Sequence, residues 1–308
     1  MNIHFVGIGG IGTSSIAQIL HHRGHKVSGS DTTASSITRS LKLSGIKVTI
    51  GHTEKNITKK LDKVIYSPAI PPTNPELKKA NALKIETISY PQALGDLSKK
   101  YFTIAVSGAH GKSTTTAMIS LIAKNAGLDP SVVIGTKIPQ FKNKNYRVGD
   151  SNLLIVEACE YKRSFLHLHP DILLITNIEA EHLDYYKNLK DYIHAFSQIA
   201  KKSKRIIIDP TNKNSKTAIK GLKKEIIHID KTTHVTPSLP GKFNITNATF
   251  AATAAKLLNI DPKIIQNSIH SFKGTWRRLE YKKTKFKTTF IDDYGHHPTE
   301  IELTLNAI

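Results

Sequence analysis

The chain has 308 residues and one cysteine, Cys159, so it can form no internal disulfide, and a reducing compartment suits it. It has no apolar run near the ~18 residues that a membrane span needs. The opening Met1-Asn2-Ile3-His4-Phe5-Val6-Gly7 has neither a basic leader nor a cleavable apolar segment. These absences predict a cytoplasmic protein with no membrane partner. Acidic residues are also short, 24 against 44 lysines and arginines, which leaves a formal charge of +20. Such an excess is found in nucleic-acid binders. Here, however, the lysines are scattered as pairs such as Lys59-Lys60, Lys78-Lys79 and Lys201-Lys202, with no aromatic residues interleaved as a base-stacking platform requires. The charge reads as solvated surface that also attracts anionic nucleotides, and no nucleic-acid partner is expected.

With 39% hydrophobic and 22% charged residues the chain is an ordinary globular one, and its length predicts more than one domain. Short β-branched runs alternate with helical stretches from end to end. Strands are expected at 3–6, 26–29, 47–50, 63–67 and 85–88, with helices at 11–22, 36–44 and 74–82 between them. This alternation predicts an α/β fold, a Rossmann-like parallel sheet with helices on its faces. A second α/β unit opens near Tyr101, with strands at 102–107, 152–157, 172–176, 205–208 and 225–229 and helices at 244–258 and 262–271. The start of a third is expected from Thr288. The predicted domains are therefore 1–98, 99–275 and 276–308.

Two glycine-rich loops carry the chemistry. The first, Gly7-Ile8-Gly9-Gly10-Ile11-Gly12, follows a strand and opens a helix, with Asp31 at the end of the next strand. That context lets a backbone approach a diphosphate closely and puts an acid within reach of a ribose hydroxyl. Taken alone, it favours NAD or FAD over other diphosphates. The second loop, Ser107-Gly108-Ala109-His110-Gly111-Lys112-Ser113-Thr114-Thr115-Thr116, joins another strand to another helix. Its glycines turn amide groups inward, the helix N-terminus adds favourable partial charge, Lys112 can neutralise β- and γ-phosphates, and the Ser113 hydroxyl can ligate Mg²⁺. A strict P-loop would have glycine at position 106, where this chain has Val106. Because a dehydrogenase has no need of a second phosphate loop, the pair weakens the NAD reading.

The segment from Gly108 to Thr115 resembles the Gly-Thr-His-Gly-Lys-Thr-Thr-Thr loop of the Mur ligases. Further motifs recur in the family's order: Tyr66-Ser67-Pro68-Ala69-Ile70 with Asn74-Pro75-Glu76, then Glu157-Ala158-Cys159-Glu160-Tyr161, then Thr176-Asn177-Ile178-Glu179-Ala180-Glu181-His182-Leu183-Asp184. Pro240-Gly241-Lys242-Phe243-Asn244 through Ala248, Gly274 through Glu280, and Asp292-Asp293-Tyr294-Gly295-His296-His297-Pro298-Thr299-Glu300 follow. Glu181 stands where the family has aspartate, and Phe243 where it has histidine. His110 is similar to the alanine-adding and tripeptide-adding branches of the family, and the cysteine-free first loop to the alanine-adding one.

The resemblance implies that Gly9, Gly10, Ile11 and Gly12 lie against the diphosphate of UDP-N-acetylmuramate, with Asp31 near its nucleoside and Ser67 facing the sugar nucleotide. It implies that Gly108, Ala109, His110, Gly111, Lys112, Ser113 and Thr114 hold ATP, that Glu157 serves Mg²⁺ directly or at one remove beside Ser113, and that His182 holds a second Mg²⁺. Asn244 and Asn247 would face the adenine, although on local grounds Asn244 could equally be a helix N-cap. Arg278 and His297, with His296, would approach the phosphates and Asp293 the ATP ribose. A zinc site at the adjacent histidines is disfavoured, since neighbours on an extended segment point to opposite sides. The implied reaction joins L-alanine to the muramate carboxylate through an acyl phosphate, with Lys112, Glu157 and His182 central to it. The family closes with a third domain that would need on the order of 100 more residues. The resemblance therefore predicts a C-terminally truncated chain that binds its nucleotides better than it turns over. A tripeptide-recycling ligase and a non-catalytic UDP-sugar-binding remnant are the alternatives.

Overall fold

The computed structural model describes residues 1–230, 235–282 and 288–308, and the chain divides into two compact units, Met1–Leu97 and Ser98–Ile308. In the first unit the elements run β1 (Asn2–Val6), α1 (Ile11–His22), β2 (Lys26–Asp31), α2 (Ser36–Leu43), β3 (Lys47–Ile50), β4 (Lys63–Tyr66), α3 (Pro75–Ala82), β5 (Glu86–Ser89) and α4 (Tyr90–Ser98). All strand pairs are parallel, in the order β3-β2-β1-β4-β5. The order reverses direction between β1 and β4, which opens a crevice at the carboxyl ends of those two strands. The glycine loop after β1 and Ser67 after β4 both lie there, and the Ser67 N–H donates to Val6 O at 3.0 Å.

Local chemistry sets the helix starts. Ser35 and Thr38 form a reciprocal capping box on α2, and the Asn74 side chain caps α3 ahead of Pro75. Inside the unit, Glu76 of α3 is wholly buried. Its carboxylate accepts from Ser30 Oγ at 2.5 Å, from Asn56 Nδ2 at 2.5 Å and from the Thr53 N–H at 3.2 Å. His4 Nε2 of β1 is 3.4 Å away and His52 Nδ1 3.6 Å. Burial opposes ionisation of this carboxyl, but the hydrogen bonds from His4, Ser30 and Asn56 outweigh it and hold the pKa down to about 2. One side chain thereby ties α3 to β1, to β2 and to the segment after β3.

The second unit runs β6 (Phe102–Ser107), α5 (Lys112–Asn125), β7 (Ser131–Ile138), β8 (Lys144–Arg147), β9 (Leu153–Glu157), β10 (Ile172–Ile175), α6 (Leu189–Lys202), β11 (Arg205–Ile208), α7 (Lys213–Ile219), β12 (Glu225–His228), α8 (Lys242–Leu257) and α9 (Pro262–His270). Its seven-stranded sheet has the order β12-β11-β10-β6-β9-β7-β8 and is mixed, because β8 pairs antiparallel to β7. The central strands are buried on both faces: every residue of β10 is inaccessible, as are Ile104, Ala105 and Val106 of β6. Helices α5, α8 and α9 cover one face through Met118, Ile119, Ile122, Phe250, Ala251 and Ile265. Beyond them a two-stranded ribbon, β13 (Glu280–Lys282) and β14 (Phe290–Asp292), leads into α10 (Pro298–Leu305).

The expected α/β class is what forms. Helices α4, α6 and α7 and strands β7 and β8 were not anticipated. The amphipathic run in α6 buries Tyr192, Ala195, Phe196, Ile199 and Ala200 behind an Asn188 cap, a spacing that is helical once its buried face is known.

Because the folded pKa of Glu76 lies below its unfolded value, its contribution is present above pH 4.5 and is lost as the pH falls toward 2. Glu76→Ala, which strands a buried histidine and serine, is expected to cost about 3 kcal/mol at neutral pH. Urea unfolding of the variant beside the parent, at pH 7 and pH 3, checks this, and the difference should shrink at the lower pH.

Candidate active site

The glycine loop between β6 and α5 is shaped by its neighbours in the sheet. Strand β10 lies beside β6, with Ile175 opposite Ser107. The next residues, Thr176 and Asn177, therefore arrive against the loop. Thr176 Oγ1 donates to His110 O at 2.6 Å, and the Asn177 carboxamide brackets His110, its Nδ2 donating to His110 O and its Oδ1 accepting from His110 N–H, each at 3.0 Å. Asn177 O also accepts from the Ala109 N–H at 3.1 Å. Gly111 adopts a left-handed φ of +81°, and a β-carbon there would lie 2.3 Å from Asn247 Oδ1, so glycine is required on both counts. Thr114 and Thr115 lie in the first turn of α5, whose leading amides have no helical partner.

Lys112 extends back along the loop. Its ammonium donates to Gly108 O at 2.6 Å, Ala109 O at 2.8 Å and Glu160 Oε1 at 3.0 Å. Burial works against the charge, but Glu160, with Glu181 and Glu157 behind it, outweighs that and raises the lysine pKa. Ser113 Oγ donates to Glu157 Oε1 at 3.0 Å, and the other Glu157 oxygen accepts from the Gly135 N–H of β7 at 2.8 Å. His182 has a left-handed φ of +56°. That turns Nε2 to 3.4 Å from Glu160 Oε1, and this hydrogen bond raises the histidine pKa against the opposing effect of burial.

Glu160, Glu181 and His182 offer donor atoms within 4.8 Å of one another. Glu160 Oε2 and Glu181 Oε2 are buried and make no ion pair, with the neutral Tyr192 hydroxyl beside the Glu160 carboxylate. Two carboxylates and one imidazole, with spare oxygens aimed inward, fit a hard divalent cation such as Mg²⁺. The Ser113–Glu157 pair offers a second oxygen-only position.

The C-terminal segment of this unit reaches the same loop. His110 Nδ1 lies 3.3 Å from Glu300 Oε1 of α10, its Nε2 lies 3.4 Å from Glu179 Oε2, and its ring centroid lies 4.9 Å from that of His297. Arg278 Nη1 donates to Glu300 Oε1 at 3.1 Å. Burial opposes the charge on each partner. Glu300 nevertheless raises the His110 pKa, while His110 and Arg278 hold Glu300 down to about 2.

Other expected residues are engaged elsewhere. Asp293 uses both carboxylate oxygens on backbone N–H groups, of Leu279 at 2.8 Å and of Gly295 at 2.6 Å. His297 caps α10 by accepting from the Thr299 N–H, and His296 is exposed. Asn244 is not the N-cap of α8, since Gly241 takes that position; its amide donates to Pro240 O at 2.6 Å. Asn247 lies against Gly111 and accepts from Thr115 Oγ1 at 3.4 Å.

In the first unit the Asp31 carboxylate is turned onto its own loop, accepting from the Gly9 N–H at 2.7 Å. Gly10 is the N-cap of α1, which begins at Ile11. Gly12 faces the Tyr90 ring so closely that a β-carbon would sit 2.4 Å from Cζ. Glu160, Glu300, Gly135 and the clamp Thr176–Asn177 carry no role in the sequence reading. Glu160 and Asn177 stand inside quoted motifs, but Gly135 has no local signal, because only the sheet order brings β7 beside β9.

The sequence pattern described as Mur ligase family, catalytic domain, matches residues 2–102, and that of the Mur ligase middle domain matches 106–236. A UDP-N-acetylmuramate–L-alanine ligase of Clostridium kluyveri is 40% identical, over 99% of this chain and 74% of its own length. One from Clostridium botulinum is also 40% identical, over 99% and 73%. The crystal structure of the UDP-N-acetylmuramate-alanine ligase of Thermotoga maritima superposes with a TM-score of 0.85 at 28% identity, covering 100% of this chain and 77% of that one. A murein peptide ligase from Psychrobacter arcticus shares the fold, with a TM-score of 0.82 at 24% identity. With the loop, its clamp and both units accounted for, the chain belongs to the Mur ligase family.

Proposed function

We propose that the protein joins L-alanine to the lactyl carboxylate of UDP-N-acetylmuramate at the expense of ATP, in the cytoplasm, as a step of peptidoglycan precursor synthesis. The observation that carries this reading is the loop Gly108–Ser113, with Lys112 and Ser113 facing Glu160 and Glu157, in a chain 40% identical to enzymes named for that reaction. The relatives' names favour alanine over a tripeptide as the incoming group. In this reading Gly9, Gly10, Ile11, Gly12, Asp31 and Ser67 form the UDP-sugar side. Residues Gly108 to Thr114 cradle the ATP phosphates, and Asn244, Asn247, Arg278, Asp293 and His297 complete the nucleotide site. Ser113 and Glu157 would hold one Mg²⁺ and His182 a second; when bound, Mg²⁺ neutralises phosphate charge and polarises the γ-phosphoryl group.

A carboxylate oxygen of the muramate attacks the γ-phosphorus, the bond to the bridging oxygen breaks, and ADP departs with that electron pair. The alanine amine then attacks the acyl carbon and loses a proton, and inorganic phosphate leaves from the tetrahedral intermediate. Lys112 and the amides at the start of α5 align donor and acceptor and stabilise the charge that gathers on the transferred group. His110, tied to Glu300 and Glu179, couples α10 to the loop that does this.

Lys112→Ala is expected to weaken binding of a non-hydrolysable ATP analogue with Mg²⁺ by about a hundredfold, the cost of a lost charge-assisted contact. Calorimetric titration should show UDP-N-acetylmuramate binding unchanged in the same variant. Phosphate release that depends on both UDP-N-acetylmuramate and L-alanine is the positive test. Release that needs a tripeptide instead would redirect the assignment.

The His110–Glu300 contact makes a second prediction. The histidine side of it is fully present below the unfolded pKa of 6.5 and is lost as pH rises through the raised folded value. The Glu300 side is lost as pH falls from 4.5 toward 2. In Glu300→Gln the His110 titration, followed by ring-proton NMR, should move down, leaving only Glu179 and Glu181 to support the charge. An unmoved titration would rule out Glu300 as its partner.

A further inference from the structure

Glu160 is the one wholly buried carboxylate in the second unit's site, with a side chain 0% exposed. Its Oε1 faces two groups, Lys112 Nζ at 3.0 Å and His182 Nε2 at 3.4 Å. Its Oε2 makes no ion pair, and the neutral Tyr192 hydroxyl is the group beside this carboxylate; Glu181 Oε2 is buried without a hydrogen bond. Lys112 has three N–H donors, and all three are spent on Gly108 O, Ala109 O and Glu160. The lysine therefore cannot turn toward a phosphate without leaving at least one of them. If it leaves Glu160, a carboxylate with no access to water keeps only the longer 3.4 Å contact to His182, and a buried charge that loses its nearer partner is destabilised. Another positive charge at the same place offsets that loss. The second oxygen of Glu160 and the buried oxygen of Glu181, with His182, can hold one.

We propose that Glu160 is an exchange post between the Lys112 ammonium and a divalent cation. Without nucleotide, Lys112 is the counter-ion of Glu160 and keeps the cation out. When nucleotide and cation arrive together, Lys112 moves to the phosphates, and Glu160, Glu181 and His182 take the cation in its place. Glu160 is thus a positioning residue that makes nucleotide and cation binding cooperative, because each ligand relieves the charge the other displaces. The inference rests on the nucleotide-and-cation reading above and deepens it, but it does not depend on which amino acid is joined.

The test uses Mn²⁺ alone as the probe, followed by its electron paramagnetic resonance on the full chain. Lys112→Met vacates the post, so the nucleotide-free variant should bind Mn²⁺ about tenfold more tightly than the parent, as removal of a competing charge from a low-dielectric site implies. Adding Glu160→Gln should abolish that gain. A gain that survives in the double variant arises from general charge and overturns the proposal, as does Mn²⁺ affinity unchanged in Lys112→Met.

A second measurement stands on a different variant. In Glu160→Gln, Lys112 is no longer held, so an ATP analogue should bind several-fold more tightly without Mg²⁺, and the tightening conferred by Mg²⁺ should shrink. A full Mg²⁺ effect in that variant also overturns the proposal. Loss of alanine-dependent turnover in a parent chain that still shows this Mn²⁺ pattern would count against the assigned reaction and leave the exchange standing.

Discussion

The Lys112 ammonium is largely buried, with 14% of its side chain exposed, and an ion so placed needs its donors answered by fixed acceptors. Two of its three acceptors are carbonyls of its own loop, Gly108 O and Ala109 O. The loop can turn those carbonyls inward only if something else holds it, and the end of β10 does so through Thr176 and Asn177. That clamp exists because β10 and β6 are adjacent parallel strands in register at Ile175 and Ser107. The third acceptor, Glu160, follows β9 on the other side of β6. The central sheet thus positions both halves of the lysine's cage, and the loop, α5 and the carboxylates that face it follow from it.

The first unit solves a similar problem with different residues. There Asp31, at the end of β2, accepts from the Gly9 N–H, much as Asn177 at the end of β10 engages His110. In both cases a parallel sheet lines up the carboxyl ends of its strands, so the residue just past one strand meets the turn that leaves its neighbour. Glu76 gives that unit its buried anchor. Both units therefore stake their geometry on an ionised carboxylate deep in the protein, which makes acid the natural way to loosen either.

Much of this was legible in the residues. The two glycine loops, each between a β-branched run and a helix, pointed to phosphate chemistry. Lys112 and Ser113 could be chosen from the loop's pattern, and Glu157 and His182 from the family resemblance; in the structure Lys112 and His182 meet at Glu160, and Ser113 meets Glu157. Strands such as Ile172–Ile175 were visible because strands buried on both faces are apolar throughout. Helix α6 and the β7–β8 pair were not, since their buried positions are defined by what packs on them. Asn244 shows the same limit at the scale of one residue: an asparagine at a helix start suits a cap, yet Gly241 fills that position and the amide turns to Pro240.

By itself the sequence determined the α/β class, the two glycine loops and the kinds of side chain near them, because glycine conformation, strand hydrophobicity and side-chain chemistry are local properties of the residues. Only the tertiary structure decided how those side chains are spent. It gave Asp31 to its own glycine loop, Asp293 to two backbone amides, His110 to Glu300, and Lys112 to Glu160. Each choice follows from which strand ends the sheet order sets side by side and how far water is kept from them, and both are properties of the assembled sheet.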